Sequence, residues 1–349
     1  MTKMFEPLKI GSKMAKNRVV FPPGVRFDPA VADGVMNDAT IEHYREVAKA
    51  GCGVIIVEAT CIDKEGRITP TQLGIWDDSF IEGLAKIPPV AHAEGAVALI
   101  QIQHSGVKTS KEVTTDIVAP SDYTFQESTA RALSLKEIEK ISRQFIDACL
   151  RAKKAGFDGV ELHGCHGYLM NQFLSPAVNS RNDIYGTDKA KFVTDIIAEL
   201  RKEVGDDFII GVRMPGNDPD VAACISYAQK FEQAGADFVH VSTGFIPKPP
   251  ADLNYEQNDN YNWIVATGLE IKKHVGIPVI IVNSIKTPEQ ANCILENGNA
   301  DFIAILRAYL CDLNWIQKAK AGQPVIQCLS CKPCLKYTGI DKCVLKNSR

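Results

Sequence analysis

Short runs of β-branched and other apolar residues alternate with longer stretches of helical period along almost the whole chain. The runs are RVVFP (18–22), GVIIVEA (53–59), AVALIQI (96–102), DGVELHG (158–164), FIIGVRM (208–214), DFVHVST (237–243), PVIIVNS (278–284) and DFIAILR (301–307). Most are apolar at successive positions rather than at alternate ones, the pattern of strands covered on both faces of a parallel sheet. Between them lie amphipathic segments such as SLKEIEKISRQFIDACLRAKKAG (134–156) and DVAACISYAQKFEQAGA (220–236). Ser134 opens the first as a capping residue and Gly156 closes it, as helix termini require. Eight strand–helix units predict an α/β fold of the closed (β/α)8 TIM-barrel type in preference to an open sheet. No GxGxxG follows the first strand, which weighs against a Rossmann arrangement. The chain parses as a barrel over residues 1–322 and a short cysteine-rich tail over 323–349.

Composition narrows the class. The 349 residues are 45% hydrophobic and 23% charged with a formal charge of −3, a soluble, globular balance that gives no reason to expect nucleic acid or an anionic membrane as partner. No apolar run reaches the roughly 20 residues that span a bilayer, and MTKMFEPLKI lacks a signal-peptide core, so a cytoplasmic location is expected. Of the 11 cysteines, Cys52, Cys61, Cys149, Cys224, Cys293 and Cys311 lie in apolar segments and read as small core residues. Cys328, Cys331, Cys334 and Cys343 cluster in the tail.

In a barrel the active site lies at the carboxyl ends of the strands. Those ends carry Pro22-Pro23-Gly24, Glu58-Ala59-Thr60, Gln101 with His104, His163 with His166 and Tyr168, Arg213, Ser242, Asn283-Ser284 and Arg307. A hydrogen-bonding group at nearly every terminus predicts a polar pocket. The last two strands are those most often used for phosphate, and Arg307 has the fork to bind it, with pairing to a rim carboxylate as the alternative. Taken alone, two histidines three residues apart are more often metal ligands or satisfied polar residues than an oxyanion clamp, and a lone tyrosine is more often a rim aromatic.

The block VELHGCHGYLMNQFLSPAVNSRNDIYG (160–186), with FEPLKIGSKMAKNRVVFPP near the start and LRAYLCDLNWIQKAKAG near the end, resembles the Old Yellow Enzyme family of FMN-dependent oxidoreductases over nearly the whole chain. The resemblance implies an FMN barrel reduced by NADH or NADPH that then reduces an activated C=C bond. By position it places Gln101 on the flavin pyrimidine edge and Pro22, Pro23, Gly24 and Ala59 around the ring. It sets Arg213 at N1–C2=O, and Asn283, Ser284, Leu306 and Arg307 around the phosphate. His163 and His166 would clamp a substrate oxygen, and Tyr168 would deliver the proton, its ordinary pKa near 10 keeping it protonated at neutral pH. Val25 stands where the family has Cys or Thr and cannot hydrogen-bond flavin C4=O. Asn283-Ser284 replace Gly-Gly and Leu306 replaces glycine, so the backbone there is expected to avoid positive φ. Val107 replaces a frequent arginine, and Thr187 a glycine.

The expected substrate is a small electron-poor alkene or carbonyl compound, with a homo-oligomer left open. Amine dehydrogenation or demethylation, an electron-transfer flavoprotein and a metal-dependent barrel hydrolase are the competing readings. No further nucleotide-binding module follows in the 349 residues, which sets the expectation of a short form without internal electron relay. The tail cysteines, separated by two, two and eight residues with Pro333 in the turn, resemble a [4Fe–4S] ligand run. Long relatives place such a cluster here with wider spacings. A zinc ion held by the four thiolates and free thiols are the alternatives.

Overall fold

The computed structural model describes residues 2–258, 260–296, 300–332, 334 and 343–345. Eight parallel strands close into one barrel in sequential order. They are β1 (Val19–Phe21), β2 (Val54–Cys61), β3 (Val97–Gln103), β4 (Gly159–His163), β5 (Ile209–Pro215), β6 (Phe238–Ser242), β7 (Val279–Val282) and β8 (Phe302–Ala304). All eight expected strands are present, shifted at their ends by one to three residues. Each is buried along nearly its whole length, which is why its sequence runs apolar instead of alternating.

Two layers of core follow from this burial. Inward side chains such as Val20, Ile56, Leu99, Phe238 and Phe302 fill the barrel interior, and Ile10 and Ala15 plug its amino-terminal end from a hairpin that pairs Leu8–Ile10 with Lys13–Ala15. Gly211 leaves room for Phe238, whose ring would lie 2.0 Å from any Cβ at that position. Outward side chains of the same strands pack on the helices. The helix expected over 134–156 runs Leu135–Lys154, with Ser134 as its cap, and Gly156 follows at φ +89°. Between β3 and that helix the chain makes a three-stranded excursion, Val118–Ala119, Tyr123–Phe125 and Ser128–Ala132. Its short, half-exposed strands carry too weak an alternation to be read from sequence.

Strand register decides which polar residues meet. Gln101 on β3 lies opposite Glu161 on β4, while Arg213 on β5 lies opposite both His163 on β4 and His240 on β6. These residues stand at neighbouring levels near the carboxyl mouth. Among the described residues, no helix is long and apolar enough to cross a membrane.

Candidate active site

A cavity of about 600 Å³ opens at the carboxyl ends of the strands, within the ~300–1,000 Å³ range of cofactor sites. Pro22, Pro23, Gly24, Val25, Ala59, Gln101, His163, His166, Tyr168, Arg213, Asn283, Ser284, Leu306 and Arg307 all line it. Not every polar strand end reaches it. Glu58 turns outward, accepting from the Arg26 backbone N–H at 3.0 Å, and His104 turns aside to accept from Gly106 N at 3.0 Å.

Along one wall, Gln101 donates from Nε2 to Glu161 Oε1 at 2.7 Å. The carboxylate oxygen takes the NH2 side of the amide, so this bond sets the amide orientation, and Gln101 lines the cavity. Glu161 also takes His240 Nδ1 at 2.7 Å, and both residues are fully buried. Burial pushes the His240 pKa down, outweighing the opposite pull of Glu161. Arg213 is 8% exposed, and its Nε finds no partner among the described residues. A buried guanidinium in that state is a site for an electron-rich group.

The histidine pair rises from the end of β4, beside Arg213 on β5. His163 Nε2 lies 3.1 Å from His166 Nδ1, and His166 Nε2 lies 2.8 Å from Ser242 Oγ. Burial drives both imidazoles well below their ordinary pKa, with Arg213 adding to the effect, so both are neutral at pH 7. Each then has one N–H to offer, and a substrate oxygen must compete with the bond the rings make to each other. Tyr168 meets the His163 ring edge-on at 4.7 Å between centroids. Lys108 donates to the His166 carbonyl at 2.7 Å and lies 5.8 Å from the Tyr168 ring centre.

The Asn283-Ser284 turn corrects one expectation. Asn283 and Ser284 adopt φ +116° and +54°, although neither is glycine. Side-chain bonds hold the strained turn. Asn262 Nδ2 donates to Asn283 Oδ1 at 2.8 Å, Ser284 Oγ donates to the same oxygen at 2.9 Å, and Arg307 Nη2 donates to Ser284 Oγ at 3.0 Å. Leu306 keeps negative φ and fills the space over Gly24, where any Cβ would lie 2.7 Å from its methyl group.

The long motif divides in two. His163, His166 and Tyr168 face the cavity, whereas Asn171, Ser175, Asn179 and Arg181 hold backbone and neighbouring loops. Asn171 and Ser175 donate to Asp218 at 3.0 and 2.8 Å. Arg181 donates to the carbonyls of Pro120 and Leu133 at 2.7 and 2.6 Å and pairs with Asp183. Glu161, His240, Lys108 and Lys286 escaped the sequence reading. A charged residue inside an apolar strand was the available signal for the first, and Lys108 brings a cation beside the position where Val107 lacks one.

Cys52, Cys61, Cys149 and Cys224 are buried as expected, and Cys293 is half-buried. Cys311 is more than a core residue. With Cys328, Cys331, Cys334 and Cys343 it lines a small apolar hollow adjoining the main cavity, and Arg307 and Cys328 border both. The Ser330 N–H donates to Cys328 Sγ at 3.4 Å, and a hydrogen bond from Cys311 holds the Cys328 thiol down, at about 5. Pro333 lies outside the described residues.

An amide edge, an unpartnered buried guanidinium and a hydroxyl–arginine turn at the far end together fit the pyrimidine, the N1–C2=O locus and the phosphate of FMN. The fold and site are those of a flavin-dependent oxidoreductase. More narrowly, the chain belongs to the NADH:flavin oxidoreductase / NADH oxidase family, whose sequence model matches residues 3–325. It is 36% identical over 345 residues to an NADH oxidase from Thermoanaerobacter brockii, an overlap that covers 94% of this chain and 52% of that protein. The chain therefore spans about half the length of this curated relative. A 2-naphthoyl-CoA reductase in complex with 2-naphthoyl-CoA superposes with a TM-score of 0.87 at 25% identity, over 98% of this chain and 56% of that one. An old yellow enzyme homologue from Zymomonas mobilis gives 0.79 at 27% identity, over 93% and 94%. Histamine dehydrogenase from Rhizobium sp. 4-9 gives 0.84 at 25%, over 98% and 52%.

Proposed function

We propose that the protein is an NAD(P)H-dependent ene-reductase acting on a small alkene activated by a carbonyl group. The observation that carries this reading is the neutral pair His163–His166 with Tyr168 at 4.7 Å from the first ring. When bound, FMN supplies the hydride. In place of the bond between the rings, His163 donates from Nε2 and His166 from Nδ1 to the substrate oxygen, drawing electron density from the double bond. In the neutral His166 that puts the proton on Nδ1 and leaves Nε2 to accept from the Ser242 hydroxyl. Ser242 keeps His166 oriented through its far nitrogen. Tyr168 Oη gives its proton to the α-carbon. Arg213 stabilises the negative charge that builds at the pyrimidine end of the reduced cofactor.

Amine dehydrogenation is the second reading, in view of the likeness to histamine dehydrogenase. The cavity lining disfavours it. Lys108, Arg213, Lys286 and Arg307 border the cavity, and no Asp or Glu is among the described residues that line it. An ammonium substrate would enter a cationic site without a carboxylate to receive it.

For the tail we read a [4Fe–4S] site held by Cys328, Cys331, Cys334 and Cys343. The apolar hollow and the N–H···S bond at Cys328 support it. Zinc without acid-labile sulfide in anaerobically purified protein would replace this reading with a tetrahedral zinc site on the same four thiolates.

Tyr168→Phe tests the central assignment. Flavin reduction by NADH or NADPH should stay near wild type, while reoxidation by a weakly activated enone slows by about 10²–10⁴-fold. Equal losses in both half-reactions, measured by stopped flow, would sink the proton-donor role.

A further inference from the structure

Cys311 ends the one-turn helix Arg307–Cys311, which leaves the rim of β8, and the residue is 2% exposed. Its sulfur lies 3.8 Å from Cys343 Sγ, in contact but unbonded, and it also hydrogen-bonds Cys328. Two of the tail thiols thus touch a fifth that belongs to the barrel.

We infer that Cys311 is an alternate fourth ligand of the tail cluster, able to replace Cys343. The inference rests on the iron–sulfur reading above. Cys328, Cys331 and Cys334 form the tight run that supplies three ligands, and the fourth must come from elsewhere. Cys343 follows Cys334 only after eight residues, against the two that separate the other three. The barrel already holds Cys311 in place. The exchange balances without an electron: the iron–sulfur bond to Cys343 breaks, one to Cys311 forms, and the Cys311 proton passes to the departing thiolate.

The test uses the full chain, purified anaerobically as wild type, Cys343→Ala, Cys311→Ala and the double variant. Iron and acid-labile sulfide per chain and the electron paramagnetic resonance spectrum of the dithionite-reduced protein are measured. FMN content and far-ultraviolet circular dichroism report the fold, and Cys311→Val replaces the alanine if that variant loses either. Wild type and Cys343→Ala should keep the cluster, and the double variant should fall to three irons or none. Loss in Cys311→Ala alone would make Cys311 the sole fourth ligand and count against the inference. It is overturned if Cys343→Ala loses as much as the double variant, or if both keep the cluster. Wild type without iron and sulfide removes the underlying reading itself, an outcome separate from those.

Discussion

Glu161 shows how one buried carboxylate can orient a binding group it is not part of. It receives N–H from Gln101 and from His240, so the Gln101 amide has one permitted orientation. In Glu161→Gln one side-chain oxygen must serve two donors, and the new NH2 group faces one of them. Leaving a buried donor unmatched costs about 1–3 kcal/mol. FMN affinity, read from quenching of flavin fluorescence, is expected to weaken by roughly 5- to 160-fold, the conversion of that range. Unchanged affinity would show that the Gln101 amide does not depend on Glu161.

At the scale of elements, the helix Leu135–Lys154 is the clearest agreement between pattern and structure. Ser134 accepts from Glu137 N at 3.3 Å, and Glu137 accepts from Ser134 N at 2.8 Å, a reciprocal capping box. The side chain of Arg131 also draws Glu137 down to about 2. Ser134→Ala should cost about 1 kcal/mol in urea unfolding of the FMN-saturated protein, with little change in flavin affinity. A loss of flavin affinity as large as the loss of stability would mean that this helix end supports the site directly. The turn at Asn283-Ser284 is the counter-example. Its residue types argued against positive φ, yet bonds from Asn262 and Arg307, distant in sequence, hold it there.

At the scale of the whole molecule, Glu58 ties β2 to the helix Asp38–Lys49 and to the loop after β1. Its oxygens accept from Arg26 N and from Tyr44 Oη, at 3.0 and 3.4 Å. Burial raises its pKa to about 7 from an ordinary 4.5. The folded state therefore binds more protons than the unfolded state between those values, and stability falls as pH rises from 4.5 to 7. A shift of that size corresponds to roughly 3 kcal/mol at most. The depressed histidines His163 and His166 act in the opposite sense, losing stability as pH falls below 6.5. The comparison that isolates Glu58 is wild type minus Glu58→Gln, from urea unfolding at about pH 5 and pH 8. That difference should decline toward the higher pH, and a flat difference would show that Glu58 does not titrate in this window.

What the sequence determined by itself was the barrel and one wall of its site. Eight buried strands write their double-sided burial as continuous apolar runs, and a strand that ends in His163, Arg213 or Arg307 marks the mouth because a barrel interior has no other place for them. The local motif around His163 and Tyr168 was legible for the same reason. Only the tertiary structure decided the pairings that depend on register and long-range contact. Glu161 meets Gln101 because β3 and β4 align them across 60 residues of chain, Leu306 covers Gly24, and Cys311 touches Cys343 across 32. Burial is a property of each residue's neighbours in sequence and shows in the pattern of one strand. Pairing is a property of two segments, and it exists only once the barrel has closed.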